Sequence, residues 1–365
     1  MDAVVTEHQY QERLAWEKRR FDAEVCVHDL PEIFHYWSNK HLRPFINRFG
    51  YDSIDDFFVR EIARTTPADG DGLLIASVGC GDCATEVGIA RGLVAAGITD
   101  FRFVCMDISD GALARGREFA EAAGLQARFE MLPHDFNQGL PDGAFDVVIA
   151  NQSLHHVVEL EILYDAIRRQ LKPGGCFLVS DMIGRNGHVR WPEARKLVDE
   201  LWEQLPDSYR YNWQLKRQEQ QFMDWDCSHE GFEGVRAQEV LPLILDRFSP
   251  RVFLAWGNII DVFVDRNFGH NFRAQDEFDL DFIDRVHAID EQAIADGRIT
   301  PTHLLGRFQN EAGDCVCPPG MTPRGAVRVP REDDPPPPAP PSPPPPPPPP
   351  PLGGGCCVLA IGCTQ

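Results

Sequence analysis

Leu73-Leu74-Ile75-Ala76-Ser77-Val78-Gly79-Cys80-Gly81-Asp82-Cys83-Ala84-Thr85-Glu86 is the stretch on which the fold turns. Its apolar opening, Leu73 to Ala76, has the length of a buried parallel strand. The run meets Gly79-Cys80-Gly81, and a helical pattern begins near Ala84. Strand, glycine turn and helix in that order make the first βα unit of a nucleotide-binding sheet. The glycines let backbone approach a ligand where a Cβ would collide, and the helix start offers unpaired amides. Glycine turns after strands are common, so a tight turn without a ligand fits this stretch alone equally well.

The neighbouring segments extend the pattern. Phe101 to Met106 reads as a second strand ending on Asp107. A carboxylate there, roughly 20 residues past the glycine turn, suits the two hydroxyls of a ribose. Ala127 to Leu132 reads as a third strand leading to Asp135-Phe136, and Phe145 to Ala150 as a fourth opening onto Asn151-Gln152-Ser153-Leu154-His155-His156. Leu171-Lys172-Pro173-Gly174-Gly175 stops a helix before a fifth strand, Cys176 to Ser180, that ends on Asp181.

This ordered series resembles the class I, Rossmann-like S-adenosylmethionine-dependent methyltransferases, small-molecule type, closely over residues 71–185 and more loosely to about 309. SVGCG is similar to the family's first motif, and FDVVIANQSLHH to the segment flanking the methyl-transfer point. LKPGG is similar to the turn before the fifth strand. The resemblance implies an α/β, doubly wound, seven-stranded, mostly parallel sheet and S-adenosyl-L-methionine as cofactor. It implies cofactor contacts at Ser77, Gly79, Cys80, Gly81, Asp107 with Ile108, Asp135 with Phe136, and Asn151. Two positions depart from the family pattern: its usual first acid is Ser77 and its third glycine is Cys83, with Glu86 or Asp82 able to supply the missing carboxylate.

For an oxygen acceptor the chemistry needs alignment and deprotonation. His155 or His156 is the first candidate base, since a neutral imidazole titrates near pH 6.5. The bland reading of the pair is a helix cap. Asp181 is the rival and His229 a remote third; no metal site is expected. The expected reaction is methyl transfer to a small molecule, a hydroxyl of a sugar or secondary metabolite by family analogy. Two alternatives remain. One is a non-catalytic nucleoside-binding scaffold. The other is an NAD-dependent oxidoreductase, disfavoured because Ala84 stands where G-x-G-x-x-G needs its last glycine.

Composition narrows the rest. With 35 Lys plus Arg against 56 Asp plus Glu, the chain carries −21, which repels phosphate backbones and argues against a nucleic-acid substrate. The N-terminus is charged within a few residues, and no run approaches the ~20 apolar residues of a membrane span. A cytoplasmic protein is expected, and eleven cysteines, several inside strands, suit a reducing compartment.

Residues 1–70 read as a helical cover, with the aromatic and polar stretch His35 to His41 a candidate wall over the acceptor. Residues 71–309 read as the sheet domain. Within it an insertion of about 186–250 precedes two closing strands, Arg251 to Trp256 and His303 to Phe308, and lies across the strands' carboxyl edge. Residues 310–365 read as a disordered tail: 335–351 hold fifteen of the thirty prolines, a polyproline II spacer of about 50 Å. Three readings of the tail stay open: unselected low complexity, a protein-interaction or lipid-anchor tail, and a peptide substrate carried in cis. Its cysteines lack the paired C-x-x-C of a metal site.

Overall fold

The computed structural model describes residues 7–23, 30–67, 72–229, 231–336 and 338. Five parallel strands come first: β1 (Leu73–Val78), β2 (Phe101–Asp107), β3 (Phe129–Pro133), β4 (Phe145–Asn151) and β5 (Leu171–Met182). The antiparallel β6 (Ser249–Trp256) and β7 (His303–Gln309) close the sheet in the order β3-β2-β1-β4-β5-β7-β6. The chain reverses its direction of winding between β1 and β4, the switch point where open α/β sheets take ligands. The expected α/β, seven-stranded, mostly parallel fold is the observed one.

The sheet buries both faces, which is why its strands are continuous apolar runs rather than alternating ones. Ile75, Phe103, Val147 and Ile149 point into one apolar cluster, and Ala76, Val104, Val148 and Ala150 into the other. The LKPGG turn lies inside β5 as a bulge: Leu171 pairs with Phe145, the register slips, and pairing resumes at Cys176 with Val147. Gly174, at φ +76°, takes the left-handed conformation that the slip requires.

The N-terminal helix α1 (Glu7–Ala23) lies across the carboxyl ends of β2 and β3. Its Tyr10 hydroxyl donates to Asp135 at 2.6 Å, and its Asp22 accepts from the Ser109 hydroxyl and the Gly111 amide at 2.7 and 2.9 Å. The His35 to His41 stretch docks elsewhere. Tyr36, Lys40 and His41 all converge on Asp284 of the long helix Glu277–Ala295, with contacts of 2.6 to 3.1 Å.

Past Gln309 the chain stays on the domain, contrary to the boundary expected at 310. Val316 exchanges backbone hydrogen bonds with Arg251 and Phe253 at the edge of β6, both 2.9 Å. The Arg328 guanidinium sits over the Trp191 ring and pairs with Glu193 and Asp334 at 2.8 and 2.7 Å. The Gly and Pro content that suggested a departure is instead that of an irregular strap held through its backbone. Most of the polyproline run and all of the terminal cysteine segment lie outside the described residues.

Candidate active site at the carboxyl edge of the sheet

Gly79 and Gly81 take φ +67° and +54°. A Cβ on Gly79 would stand 2.5 Å from the Ser153 Cβ, whereas one on Gly81 would meet open space. The turn is therefore glycine for two reasons: close packing at Gly79, and at both positions a backbone conformation that L side chains rarely adopt. Asp107, buried at the end of β2, accepts from the amides of Gly81 and Ser109, both at 2.9 Å, so its carboxylate is aimed by backbone. Burial pushes it up to about 6 against those amides. Ile108 follows half-buried, and Phe136 packs beside Gly79. Asp135, held by Tyr10 and the Asn137 amide, completes the row.

Ser77 donates to Glu86 at 2.7 Å, both fully buried. A carboxylate from the helix Ala84–Ala95 thus stands beside Ser77, while Asp82 accepts from the nearby Ala84 amide. Burial, with the Cys83 thiol nearby, pushes Glu86 up to about 8. Among the described residues, the Glu86 Oε2 and Asn151 Oδ1 atoms are buried without a hydrogen-bond partner. Beside Asn151, Gln152 takes φ +54°, a strained conformation of the kind that collects at functional sites.

The other half of the site is a buried charge cluster. Asp181 accepts four hydrogen bonds: His155 Nδ1 at 2.6 Å and the amides of Ser153, Leu154 and Met182 at 2.7 to 2.9 Å. The other ring nitrogen of His155 lies 3.4 Å from Glu233, and Glu233 also accepts from His188 at 2.9 Å. His156 stands 3.8 Å from Glu233 and 3.9 Å from Glu17 of α1. Adjacent histidines thereby acquire opposite states. Burial alone would push His155 down, but Asp181 and Glu233 outweigh it and hold the imidazolium up to about 10. Burial, reinforced by the neighbouring His155 charge, pushes His156 down to about 3. The facing atoms of His155, His188 and Glu233 pair with one another, while the His188 Nδ1 and Glu17 Oε2 atoms at the margin of the cluster are buried without a hydrogen-bond partner.

The structure brings Ser77, Gly79, Cys80, Gly81, Glu86, Asp107, Asp135, Phe136 and Asn151 to one edge, next to His155, His156 and Asp181. The His229 side chain lies outside the described residues. Glu17, His188 and Glu233 were not anticipated, because their segments carry no periodic or motif signal. A further omission had a readable signal: Cys80-Gly-Asp-Cys83 is itself a C-x-x-C.

Residues 77–179 match the family described as a methyltransferase domain. The chain carries a class I, Rossmann-like methyltransferase domain. It is 35% identical over 129 residues to a sterol 24-C-methyltransferase of Aspergillus fumigatus, covering 35% of this chain and 33% of that protein. A sterol 24-C-methyltransferase of Eremothecium gossypii is 31% identical over 142 residues, 38% and 36% of the two chains. The chain therefore matches these relatives over about a third of their length. Among solved structures, the [4+2]-cyclase SpnF is similar at a TM-score of 0.39 and 19% identity, over 70% of this chain and 81% of that one. A geranyl diphosphate methyltransferase in complex with GPP and sinefungin gives a TM-score of 0.40 at 12% identity, over 70% and 77%. No helix of the methyltransferase domain or of the other described residues is long and apolar enough to cross a membrane.

Proposed function

We propose that this chain is an S-adenosylmethionine-dependent methyltransferase acting on a small molecule, with an electron-rich carbon as the favoured acceptor atom. The residues at the edge fit the cofactor. Gly79 and Gly81 leave a backbone cradle, Asp107 is pre-aimed for ribose hydroxyls, and Asp135 with Phe136 suits an adenine. The unpaired Glu86 Oε2 suits an ammonium group, and Asn151 Oδ1 lacks a partner that a ligand would provide. When bound, the sulfonium supplies a methyl group that is already electrophilic.

The observation that carries the choice of acceptor is the state of His155. Clamped between Asp181 and Glu233, it already holds its second proton at neutral pH and has none to accept. Asp181 has both oxygens engaged by backbone and His155, and Glu233, against the cost of its burial, is held well below the usual carboxylate range by the His155 charge and the hydrogen bonds of His155 and His188. His156, at about 3, is a weak base. An alcohol would find no adequate general base here. A carbon nucleophile such as an alkene needs none to attack: the S–CH3 bond breaks as the new C–CH3 bond forms. The carbocation left behind, stabilised by the buried carboxylates, is acidic enough to lose a C–H proton to a weak base such as His156 or to water. The relatives named for carbon 24 of a sterol agree with this reading. His188 also lines a cavity of about 80 Å³ with Met182, Asn212, Phe222, Asp224 and Asp261, too small and too polar to enclose an isoprenoid as it stands.

The test is incubation with the methyl donor carrying a ¹³C-methyl group and two acceptor panels, unsaturated isoprenoids and sterols on one side, phenols and alcohols on the other. NMR then assigns the labelled methyl. Carbon-bound label is expected. Oxygen-bound label reverses the acceptor assignment, with His156 the remaining base, and absence of turnover together with absence of binding to S-adenosylhomocysteine removes the methyltransferase reading altogether.

A further inference from the structure

Beneath the cofactor cradle lies a group of sulfur atoms that the proposed chemistry does not use. The Sγ atoms of Cys80, Cys83 and Cys105 all lie within 4.8 Å of one another. A fourth sulfur, the Met131 thioether, is 3.5 Å from Cys83 Sγ. They come from separate elements: Cys80 from the glycine turn, Cys83 from the start of the helix Ala84–Ala95, Cys105 from β2 and Met131 from β3.

Several features of the backbone serve this convergence. The Cys83 amide donates to the Cys80 carbonyl at 2.9 Å, closing the C-x-x-C into a turn. Cys83 itself is held at φ +56°, a conformation that only a constrained non-glycine residue adopts. Cys105 and Met131 are register partners across β2 and β3, so both side chains leave the same face of the sheet. On the far side Gly116 of the helix Asp110–Ala122 approaches so closely that a Cβ there would be 3.1 Å from Cys83 Sγ.

We propose that Cys80, Cys83 and Cys105, with Met131 as a weak fourth ligand, form a binding site for one thiophilic d¹⁰ cation, Cu⁺ or Zn²⁺. At metal–sulfur bonds of about 2.3 Å, three thiolates around one ion are about 4 Å apart, so the cluster needs to contract by less than about 1 Å. Thiolates and a thioether are soft donors, and their combination favours Cu⁺ over Zn²⁺. Cys83 at the first turn of a helix gains further from the positive end of the dipole, which favours a thiolate there. The half-buried Cys80 provides the entry path. Because Cys80 belongs to the turn that cradles the cofactor, occupation would stiffen that turn. Metal binding does not depend on the methyltransferase reading, and each is tested by its own readout.

The full-length, reduced and chelator-stripped protein is titrated anaerobically with Cu⁺, and separately with Zn²⁺, against a chromophoric competitor. Cys80→Ser, Cys105→Ala and a Cys315→Ser/Cys317→Ser double variant are treated alike, the last because that surface pair has its sulfurs 3.3 Å apart. One equivalent is expected to be lost, or weakened at least about tenfold, in the first two variants and retained in the third. X-ray absorption on the unmutated protein loaded with one equivalent is expected to show a shell of three or four sulfurs. Cys80→Ser is the half-buried position, and its unfolding midpoint without metal should equal that of the parent. Unchanged affinity in Cys80→Ser, a nitrogen- and oxygen-dominated shell, or an as-isolated Cys80–Cys83 disulfide detected by mass would each overturn the proposal.

Discussion

The two halves of the site sit on the same edge of the sheet and are built on opposite plans. The cofactor half is made of short chain turns, each directly after its own strand. Gly79 to Gly81 follow β1, Asp107 ends β2, and Asp135 follows β3, with backbone amides doing most of the aiming. The proposed acceptor half is made of side chains from distant segments: Glu17 from α1, His155 and Asp181 from the ends of β4 and β5, His188 and Glu233 from the insertion. Its geometry is set by buried charges that must match one another. The first plan tolerates the loss of one contact, because the backbone persists. The second concentrates desolvated charge, so removing one partner leaves another uncompensated.

The largest expected effect tests that contrast directly. Asp181→Ala removes the acceptor of four hydrogen bonds and the counter-charge of a fully buried imidazolium. It should cost about 3–5 kcal/mol in urea unfolding at neutral pH. Asp107→Ala, in the cofactor half, should instead spare most of the stability and weaken S-adenosylhomocysteine binding about 30–100-fold by calorimetry, from loss of about 2–3 kcal/mol of charge-assisted hydrogen bonding. If both substitutions destabilise the fold alike, the distinction between the two plans fails.

The same contrast explains what was readable beforehand. Glycines and acids at strand ends are local signals, so Gly79, Asp107 and Asp135 could be singled out without knowing the tertiary structure. Asp181 was legible as a strand end, but as a rival base; its four bonds belong to the folded state. His155 and His156 are indistinguishable as neighbours in sequence, and only Asp181 and Glu233 separate one at about 10 from the other at about 3. Glu233 and Glu17 enter by tertiary proximity across more than 200 positions, with weak periodicity around the first and only a polar helix around the second. The strap past Gln309 was misjudged for a related reason. Its Gly and Pro content describes the local chain, while Val316 is held by the edge of β6. Deleting residues 339–365 should leave the unfolding free energy unchanged, whereas deleting 310–365 should lower it by about 2–3 kcal/mol through two lost backbone bonds and the Arg328 pairings.

The smallest effect concerns the joint between the halves, where α1 lies over both. Glu17 is buried, with one oxygen accepting the Phe232 amide at 2.6 Å and the other unpaired. Burial pushes its carboxyl up to about 7 from an ordinary 4.5, against the pull of that amide and of Arg20, with Glu233 and His155 also nearby. An acid whose value is raised on docking binds more protons in the docked state. Docking of α1 is then strongest below about pH 4.5, weakens as pH rises to about 7, and is flat beyond. Amide hydrogen exchange over Glu7–Ala23, corrected for intrinsic rates, should show protection falling between about pH 5.5 and pH 8 by an amount on the order of 1–2 kcal/mol. Glu17→Gln cannot ionise, so its protection should be level across that range and exceed the parent's at the alkaline end. Protection that rises with pH in the parent, or falls equally in the variant, would mean that Glu17 is ionised when docked. The joint would then follow the charge-matched plan of the acceptor half, with the neutral His156 beside it the wrong partner for a carboxylate.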